Sequence, residues 1–186
     1  MFIIKKKYYL YIENTSDINL KCIKKSKKIF IIYRNKSIKE NIDKLYKFKK
    51  LCTERGFKFY IANDLRLLKA CKGDGLYLSS FNKKISLDKR INLIGSAHCF
   101  KEINEKIKQG CKTILLSRLF KTDYANKKDF FGLIKFNLII KNYKISIIPL
   151  GGIRASNLNK LNLVNSSGLA LLSEVKKKPA IASRLF

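Results

Sequence analysis

The sequence is poor in several residue types that define whole classes of protein. It has one histidine and seven arginines among 186 residues. The cysteines are odd in number and form no C-x-x-C pair. Zinc sites and disulfide frameworks need closer or paired spacing, so the sequence argues against both and favours reduced thiols in a cytoplasmic protein. The five cysteines are Cys22, Cys52, Cys71, Cys99 and Cys111.

Long uninterrupted apolar stretches are missing as well. At the N-terminus, Lys5, Lys6 and Lys7 follow a very short apolar run, which is the reverse of the order in a signal peptide. The apolar region 134–150 is broken by several lysines, which excludes a transmembrane span. No Gly/Ser-rich linker divides the chain. We therefore expect one domain over residues 1–186, without a membrane partner.

The net charge of +28 comes mainly from lysine, because 41 basic residues include only seven arginines. Proteins that read a nucleic-acid sequence favour arginine for bidentate contacts to guanine. The aromatic-basic stretch Lys44–Lys50 has a helical spacing that explains its aromatic residues as core-facing. Specific nucleic-acid binding is therefore a weak alternative. A positive field would still help to collect small anionic substrates.

The sequence does contain a regular series of short, nearly continuous apolar runs, which suit strands covered on both faces. Helical spacing fills several gaps, at Ile38–Cys52, Phe100–Gly110 and Phe130–Lys141, and Pro179 opens a last short helix. This alternation predicts an α/β fold, a (β/α)₈ TIM barrel with shortened connections after the first and fourth strands. The predicted strands are Tyr8–Ile12, Ile29–Tyr33, Phe57–Ala62, Gly75–Leu78, Asn92–Gly95, Thr113–Leu116, Ile145–Leu150 and Leu169–Leu172.

Small residues follow the last two predicted strands, in the runs Ile148–Ile153 and Gly168–Ser173. Glycine lets a phosphate approach the backbone closely, and oriented main-chain amides supply partial positive charge. In a (β/α)₈ barrel the loops after strands 7 and 8 are the usual phosphate site. Gly151 and Gly152 therefore predict a phosphate-binding turn, although a tight turn alone would also use them.

Charged and polar residues follow the earlier strands, where a barrel enzyme places its chemistry. Arg34 and Lys36 after strand 2 suit a clamp on a diphosphate, although two of the many solvated cations of this chain would look the same. Asn63 and Asp64 after strand 3 suit a phosphate oxygen and Mg²⁺, or equally the cap of the next helix. His98 follows strand 5, although a lone histidine is more often structural than catalytic. The other polar residues at strand ends are Ser79, Ser80, Asn82, Ser96, Ser117, Arg118 and Thr122.

Taken in order, these motifs resemble the thiamine phosphate synthases and the related thiazole tautomerases, a (β/α)₈ superfamily. The resemblance covers nearly the whole chain, and the ordered series is more specific than any one motif. It includes the closing P-x-x-G-G-I pattern at Pro149–Ile153. The other segments that carry it are Tyr8–Ile12, Ile32–Lys36, Ile61–Asp64, Asp74–Ser80, Ile94–His98, Leu119–Thr122 and Gly168–Ser173.

The resemblance implies a Mg²⁺-dependent transferase that acts on small phosphorylated substrates. An aminopyrimidine pyrophosphate loses its diphosphate, and the nitrogen of a thiazole phosphate attacks the pyrimidine methylene carbon. We assign the site from the resemblance and the strand-end positions together. Catalytic roles go to Arg34, Lys36 and Ser96, substrate and phosphate binding to Asn63, His98, Thr122, Gly151, Gly152 and Ser173, and Mg²⁺ to Asp64 and Asn82.

The sequence departs from the pattern of this family at four places. Ile32 stands where the family has glutamine, Tyr77 where it has histidine, Asn82 where it has a second carboxylate, and Ala125 near its lysine. Asp88 is a nearby carboxylate that would replace the missing one. These departures lie at the chemistry and spare the phosphate turn. They leave open a tautomerase-like or non-catalytic phosphate-binding relative, and the sequence leaves open a homo-oligomer.

Overall fold

The eight predicted strands form a closed barrel in a computed structural model that describes residues 5–35, 40–83, 88, 90–122 and 129–171. Each strand pairs in parallel with the next, and β1 closes the barrel against β8. The predicted (β/α)₈ fold is therefore confirmed, with strand ends within two residues of those predicted. The strands are β1 Lys7–Ile12, β2 Ile29–Tyr33, β3 Lys58–Ala62, β4 Gly75–Leu78, β5 Leu93–Ala97, β6 Thr113–Ser117, β7 Ser146–Leu150 and β8 Gly168–Leu171.

The described residues form four α-helices outside the barrel: α1 Ile42–Glu54, α2 Leu65–Ala70, α3 Phe100–Lys108 and α4 Gly132–Lys141. The side chain of Asn41 accepts a hydrogen bond from Asp43 N and caps α1, which then buries Leu45, Phe48 and Cys52 as its spacing predicts. Helix α4 begins two residues later than expected. The predicted start of the first helix at Ile38 and the last helix at Pro179 lie outside the described residues.

The connection between β1 and β2 is short, as predicted, and consists of two 3₁₀ helices, Thr15–Asp17 and Leu20–Cys22. The connection between β7 and β8 is also abbreviated, which the sequence did not lead us to expect. It forms the 3₁₀ helix Ala155–Leu163. Its Asn157 side chain accepts from Arg154 N at 2.8 Å and donates to Gly152 O at 2.8 Å. Such local side-chain bonds offer the backbone an alternative to a regular α-helix.

Apolar side chains from the two faces of the strands fill two cores. One core lies between the barrel and its helices, and the other fills the barrel interior. The interior core consists of Tyr9, Tyr11, Ile32, Tyr60, Tyr77, Ile94, Leu115, Ile148 and Ala170. Because both faces are buried, each strand has the nearly continuous apolar sequence from which it was predicted. The packed interior also gives a rigid base to the loops at the carboxyl ends of the strands.

The aromatic-basic stretch lies in α1, where Phe48 is buried against Phe59 at a ring distance of 5.3 Å. The helical interpretation of this stretch is therefore confirmed. Tyr46 is partly exposed and lies 5.0 Å from Lys50 Nζ. Among the helices of the described residues, none combines the length and the apolar character that crossing a bilayer requires.

Candidate functional site

A cavity of about 550 Å³ opens at the carboxyl ends of the strands. Its volume lies in the range of pockets for small molecules. Six of the predicted site residues line it, contributed by β5 and by the loops after β2, β5, β6 and β7: Arg34, Ser96, His98, Thr122, Gly151 and Gly152. Residues that are far apart in the sequence are thus brought to one rim, as the barrel topology requires.

The double-glycine turn after β7 has positive φ angles, +89° at Gly151 and +71° at Gly152. A Cβ atom at Gly151 would lie 2.9 Å from Arg118 Cγ. A Cβ atom at Gly152 would lie 2.7 Å from Lys121 O and would also meet the carbonyl of Phe120. The two glycines are therefore required by the close approach of the loop after β6. The turn lines the cavity as well, so a phosphate near it would face the backbone.

The loop after β6 is fixed against this turn by backbone hydrogen bonds, from Leu119 N to Leu150 O at 3.0 Å and from Phe120 N to Gly151 O at 3.1 Å. On the same loop, Arg118 Nη1 donates to Thr122 Oγ1 at 3.1 Å. Both side chains line the cavity. The sequence analysis places Arg118 after strand 6 but does not predict it as a site residue. Its position directly after the strand was the signal that could have found it.

In the part of the chain that the structure describes, three lysine and arginine side chains line the cavity: Arg34 after β2, Arg118 after β6 and Lys135 on α4. They stand beside the hydroxyl groups of Ser96, Ser117 and Thr122. Guanidinium groups bind phosphate oxygens through paired, charge-assisted hydrogen bonds. The cavity is therefore chemically suited to anionic groups, although Asp129 also lies at its edge.

Two tyrosines bring hydroxyl groups together at the floor of the cavity. Tyr11 OH donates to Tyr77 OH at 2.9 Å, and the Tyr77 hydroxyl also bonds to Ser96. Burial raises the pKa of Tyr77, although its bonds to Ser96 and Tyr11 and the nearby charge of Arg34 oppose the rise. Burial and the neighbouring Tyr77 raise the pKa of Tyr11 well above its usual range. Both hydroxyls therefore keep their protons at neutral pH.

Asn63 joins the loops after β3 and β4. Its backbone has a positive φ of 58°, and its N–H donates to Tyr77 O at 2.8 Å. Its side-chain Nδ2 donates to Ser79 Oγ at 2.6 Å. Its Oδ1 accepts from Ser79 N at 2.9 Å and from Asn82 Nδ2 at 3.1 Å. The side chains of Asn63 and Asn82 thus hold these two loops together, and their predicted contacts with diphosphate and Mg²⁺ stay predictions.

Asp64 caps α2, because its Oδ1 accepts a hydrogen bond from Leu67 N at 2.9 Å. The capping interpretation is confirmed, and the predicted binding of Mg²⁺ by Asp64 stays a prediction. Within the described ranges, no group of three or more His, Cys, Asp or Glu side chains is arranged to hold a metal ion. Asp88, the carboxylate expected to replace the missing one, forms an exposed ion pair with Arg90, whose Nη2 lies 2.8 Å from Asp88 Oδ2. Hydrogen bonds from the side chain and the backbone N–H of Arg90 lower the pKa of Asp88 to about 2.

His98 lies at the start of α3, with a half-exposed ring whose Nδ1 is 3.1 Å from Glu102 Oε2. Its backbone N–H donates to the same oxygen at 2.6 Å. These contacts fit a structural histidine at the cavity edge. Lys36 and Ser173, which were assigned to the diphosphate and the phosphate, lie outside the described residues, as does Ala125. Their assignments stay predictions.

A family model described as thiamine monophosphate synthase matches residues 2–175 of the chain. The protein belongs to the thiamine monophosphate synthase family. A thiamine-phosphate synthase from Clostridium perfringens (strain 13 / Type A) is 31% identical, with 75% of this chain and 70% of that protein covered. The enzyme of the same name from Pelagibacter ubique is 30% identical and is matched over 97% of this chain and 95% of its own length.

Solved structures of the family share the fold of this chain. The thiamine phosphate pyrophosphorylase from Pyrococcus furiosus superposes with a TM-score of 0.75, covering 97% of this chain and 92% of that chain at 17% identity. At this identity the likeness establishes the barrel alone. The match to the family model confirms the resemblance that the ordered motifs indicated. The role of each residue needs its own argument.

Proposed function

We propose that the protein is a thiamine phosphate synthase, which joins an aminopyrimidine diphosphate to a thiazole phosphate and releases diphosphate. Membership of the family supports the reaction class. The observation that carries the proposal is the cavity at the carboxyl ends of the strands. It combines Arg34, Arg118 and Thr122 with the turn at Gly151 and Gly152.

The reaction breaks the bond between the pyrimidine methylene carbon and a diphosphate oxygen, and the electron pair leaves with the diphosphate. A new bond forms between that carbon and the thiazole nitrogen, whose lone pair makes the ring a thiazolium. The reacting atoms need not lose a proton. The protein must therefore stabilise the negative charge on the leaving group and hold the two rings in contact.

Each half of the cavity supplies part of this requirement. The guanidinium of Arg34 lies near Tyr77 at the floor, where it would stabilise the diphosphate as its charge develops. The hydroxyl of Thr122 and the turn at Gly151 and Gly152 would hold the thiazole phosphate on the other side. Tyr77 lines the cavity and keeps its proton, so its hydroxyl can donate one hydrogen bond to substrate.

The residues at the ends of β3 and β4 fit a magnesium ion that arrives with the substrate. Mg²⁺ in enzymes is commonly bound by one or two carboxylates together with phosphate oxygens. Asp64 supplies one carboxylate and Asn82 an amide oxygen. When bound there, Mg²⁺ would neutralise charge on the leaving diphosphate. The capping bond at Asp64 Oδ1 would keep the carboxylate in a fixed orientation.

The proposal is tested by incubating the purified protein with both substrates and Mg²⁺. We expect release of diphosphate and formation of thiamine phosphate in equal amounts. Reactions that lack either substrate serve as controls. Binding of thiazole phosphate without any diphosphate release would contradict the proposal and would support the tautomerase-like or non-catalytic alternative. Binding of nucleic acid would decide nothing, because a chain with a net charge of +28 binds polyanions in any case.

A further inference from the structure

A buried lysine on α3 is not part of the site described above. The side chain of Lys106 has no exposed surface, although lysine is almost never fully buried unless it is paired. Its stem packs on β5 beside Gly95, where a Cβ atom would lie 2.9 Å from Lys106 Cγ. Its Nζ donates to Asn82 O at 2.6 Å and to Gln109 Oε1 at 2.9 Å. Both acceptors are neutral oxygens.

Burial of this ammonium group is unfavourable, and desolvation lowers the pKa of Lys106. A methionine or leucine would fill the volume of the stem without a charge to bury. The lysine differs from them in its hydrogen bond to the loop after β4. Gln109 Nε2 donates to the same Asn82 carbonyl at 2.9 Å. Two donors from one end of α3 therefore hold one backbone oxygen of that loop.

The anchored residue lies in the loop after β4, whose Ser80 lines the cavity, and it connects this loop to the loop after β3. The side chain of Asn82 donates to Asn63 Oδ1 at 3.1 Å. Asn63 in turn bonds to Ser79 and is followed by Asp64, which caps α2. A displacement of the Asn82 backbone would therefore move the residues that stand nearest the proposed diphosphate and magnesium site.

We propose that Lys106, with Gln109, is a positioning residue that holds Asn82 and thereby the diphosphate end of the first substrate. The proposal deepens the proposed function and rests on it. Lys106 acts through the loop after β4 and touches neither substrate. This role predicts that loss of Lys106 impairs binding of the aminopyrimidine diphosphate alone. We place the thiazole phosphate on the far side of the cavity, at the loops after β6 and β7.

The first test replaces Lys106 by methionine, which keeps the length and packing of the stem and removes the ammonium. Loss of a residue that orients a ligand group typically costs about 10-fold to 100-fold. We expect Lys106→Met to raise the KM for the aminopyrimidine diphosphate, and the Mg²⁺ concentration for half-maximal rate, about 10-fold. The KM for thiazole phosphate should stay within about twofold. Lys108→Met, an exposed position on the same helix, is the matched control and should change neither KM.

A purely structural role would shift both KM values together, and that result would overturn the proposal. The second test repeats the substitution in an Asn82→Ala background. If Lys106 acts through the Asn82 side chain, Lys106→Met should then add less than about a twofold effect. A full 10-fold effect in that background would overturn the proposed route. Should Lys106→Met fail to fold, Gln109→Met tests the same anchor and should give the same selective rise in KM.

Failure of the proposed function can be told apart from failure of this inference. If the wild-type protein is active and Lys106→Met shows no selective change, the positioning role is wrong and the function stands. If the wild-type protein forms no thiamine phosphate, the function is wrong. In that event, Mg²⁺-dependent binding of inorganic diphosphate, measured by calorimetry, tests the anchor. We expect about 10-fold weaker binding by Lys106→Met, and equal binding would overturn the inference.

Discussion

On the β6–β7 half of the rim, Arg118, Thr122 and the Gly151–Gly152 turn line an open cavity. On the β3–β4 half, the side chains of Asn63 and Asn82 bond to each other, and that of Asp64 caps a helix. The first half presents polar groups to a ligand. The second half uses its polar groups to hold two loops in place.

Two of the four departures from the family pattern, Tyr77 and Asn82, lie on or after β4. Asn82, which stands for a family carboxylate, lies on the β3–β4 half, whereas the P-x-x-G-G-I turn of the β6–β7 half follows the pattern. We infer that the β6–β7 half binds phosphate largely through the protein itself. We infer that the β3–β4 half would depend more on Arg34 and on a cation brought by the substrate. The following changes test that division.

The largest effect should come from Arg34→Met. Arg34 lines the cavity and lies near Tyr77 at its floor, where we place the diphosphate. Removal of a group that stabilises charge in a transition state typically costs about 100-fold to 1000-fold in rate. We expect kcat/KM for the aminopyrimidine diphosphate to fall about 1000-fold, as measured by diphosphate release. Arg66→Met, at an exposed position on α2, is the control. An active Arg34→Met enzyme would remove Arg34 from the site.

The second change separates the two roles of Asp64. Asparagine caps a helix about as well as aspartate, so Asp64→Asn should keep the bond to Leu67 N and the thermal stability. It removes the negative charge, and we expect Mg²⁺-dependent turnover to fall about 100-fold. Titration of rate against Mg²⁺ concentration measures this effect. Unchanged turnover with unchanged stability would leave Asp64 as a helix cap alone.

The third change addresses the other half of the rim. At Gly152→Ala, the new Cβ would meet the backbone of Phe120 and Lys121, and the backbone has a φ of +71°. A strained conformation of this kind costs about 1–3 kcal/mol in unfolding free energy. We expect weaker thiazole phosphate binding together with this loss.

Gly110→Ala is the control for Gly152→Ala. It has a φ of +88°, and its nearest neighbour would lie at an ordinary 3.8 Å. It carries the conformational cost without the clash. Equal stability and equal phosphate affinity in the two variants would show that the close approach after β6 is unimportant.

The smallest effect concerns the floor that separates the two halves. Tyr77→Phe removes the hydroxyl that accepts from Tyr11 and bonds to Ser96. A buried hydroxyl left without its partner costs about 1–3 kcal/mol, and urea unfolding should detect the loss. The double variant Tyr11→Phe with Tyr77→Phe should recover part of the lost unfolding free energy, because the Tyr11 hydroxyl is then no longer left without its acceptor. Additive losses would contradict the coupling of the two tyrosines.

The barrel itself was predictable, because each strand is buried on both faces and therefore has a nearly continuous apolar sequence. The alternation of strands and helices then fixed the topology and brought Arg34, Ser96 and Thr122 to one end. The 3₁₀ helix after β7 was missed because the bonds of Asn157 compete with helix formation at short range. Apolar spacing does not record such bonds.

Contacts between distant segments were beyond the sequence. Gly152 signalled a turn, but its near neighbour, the backbone at Phe120 and Lys121, depends on how two loops pack. Likewise, the sequence does not distinguish Lys106 from the many solvated lysines. Only the structure shows that its ammonium donates a hydrogen bond to the Asn82 carbonyl. The roles assigned to Lys36 and Ser173 rest on the sequence, because both lie outside the described residues.

The phenol of Tyr77, where the family pattern has an imidazole, changes which groups can contribute to the pH dependence of the rate. An imidazole changes its charge between about pH 5 and 8, whereas the buried phenol stays neutral throughout that interval. Phosphate monoesters lose their second proton near about pH 6. Tyr77 would therefore add no ionisation to the acid limb of a rate profile for this protein, whereas the phosphates of its substrates would.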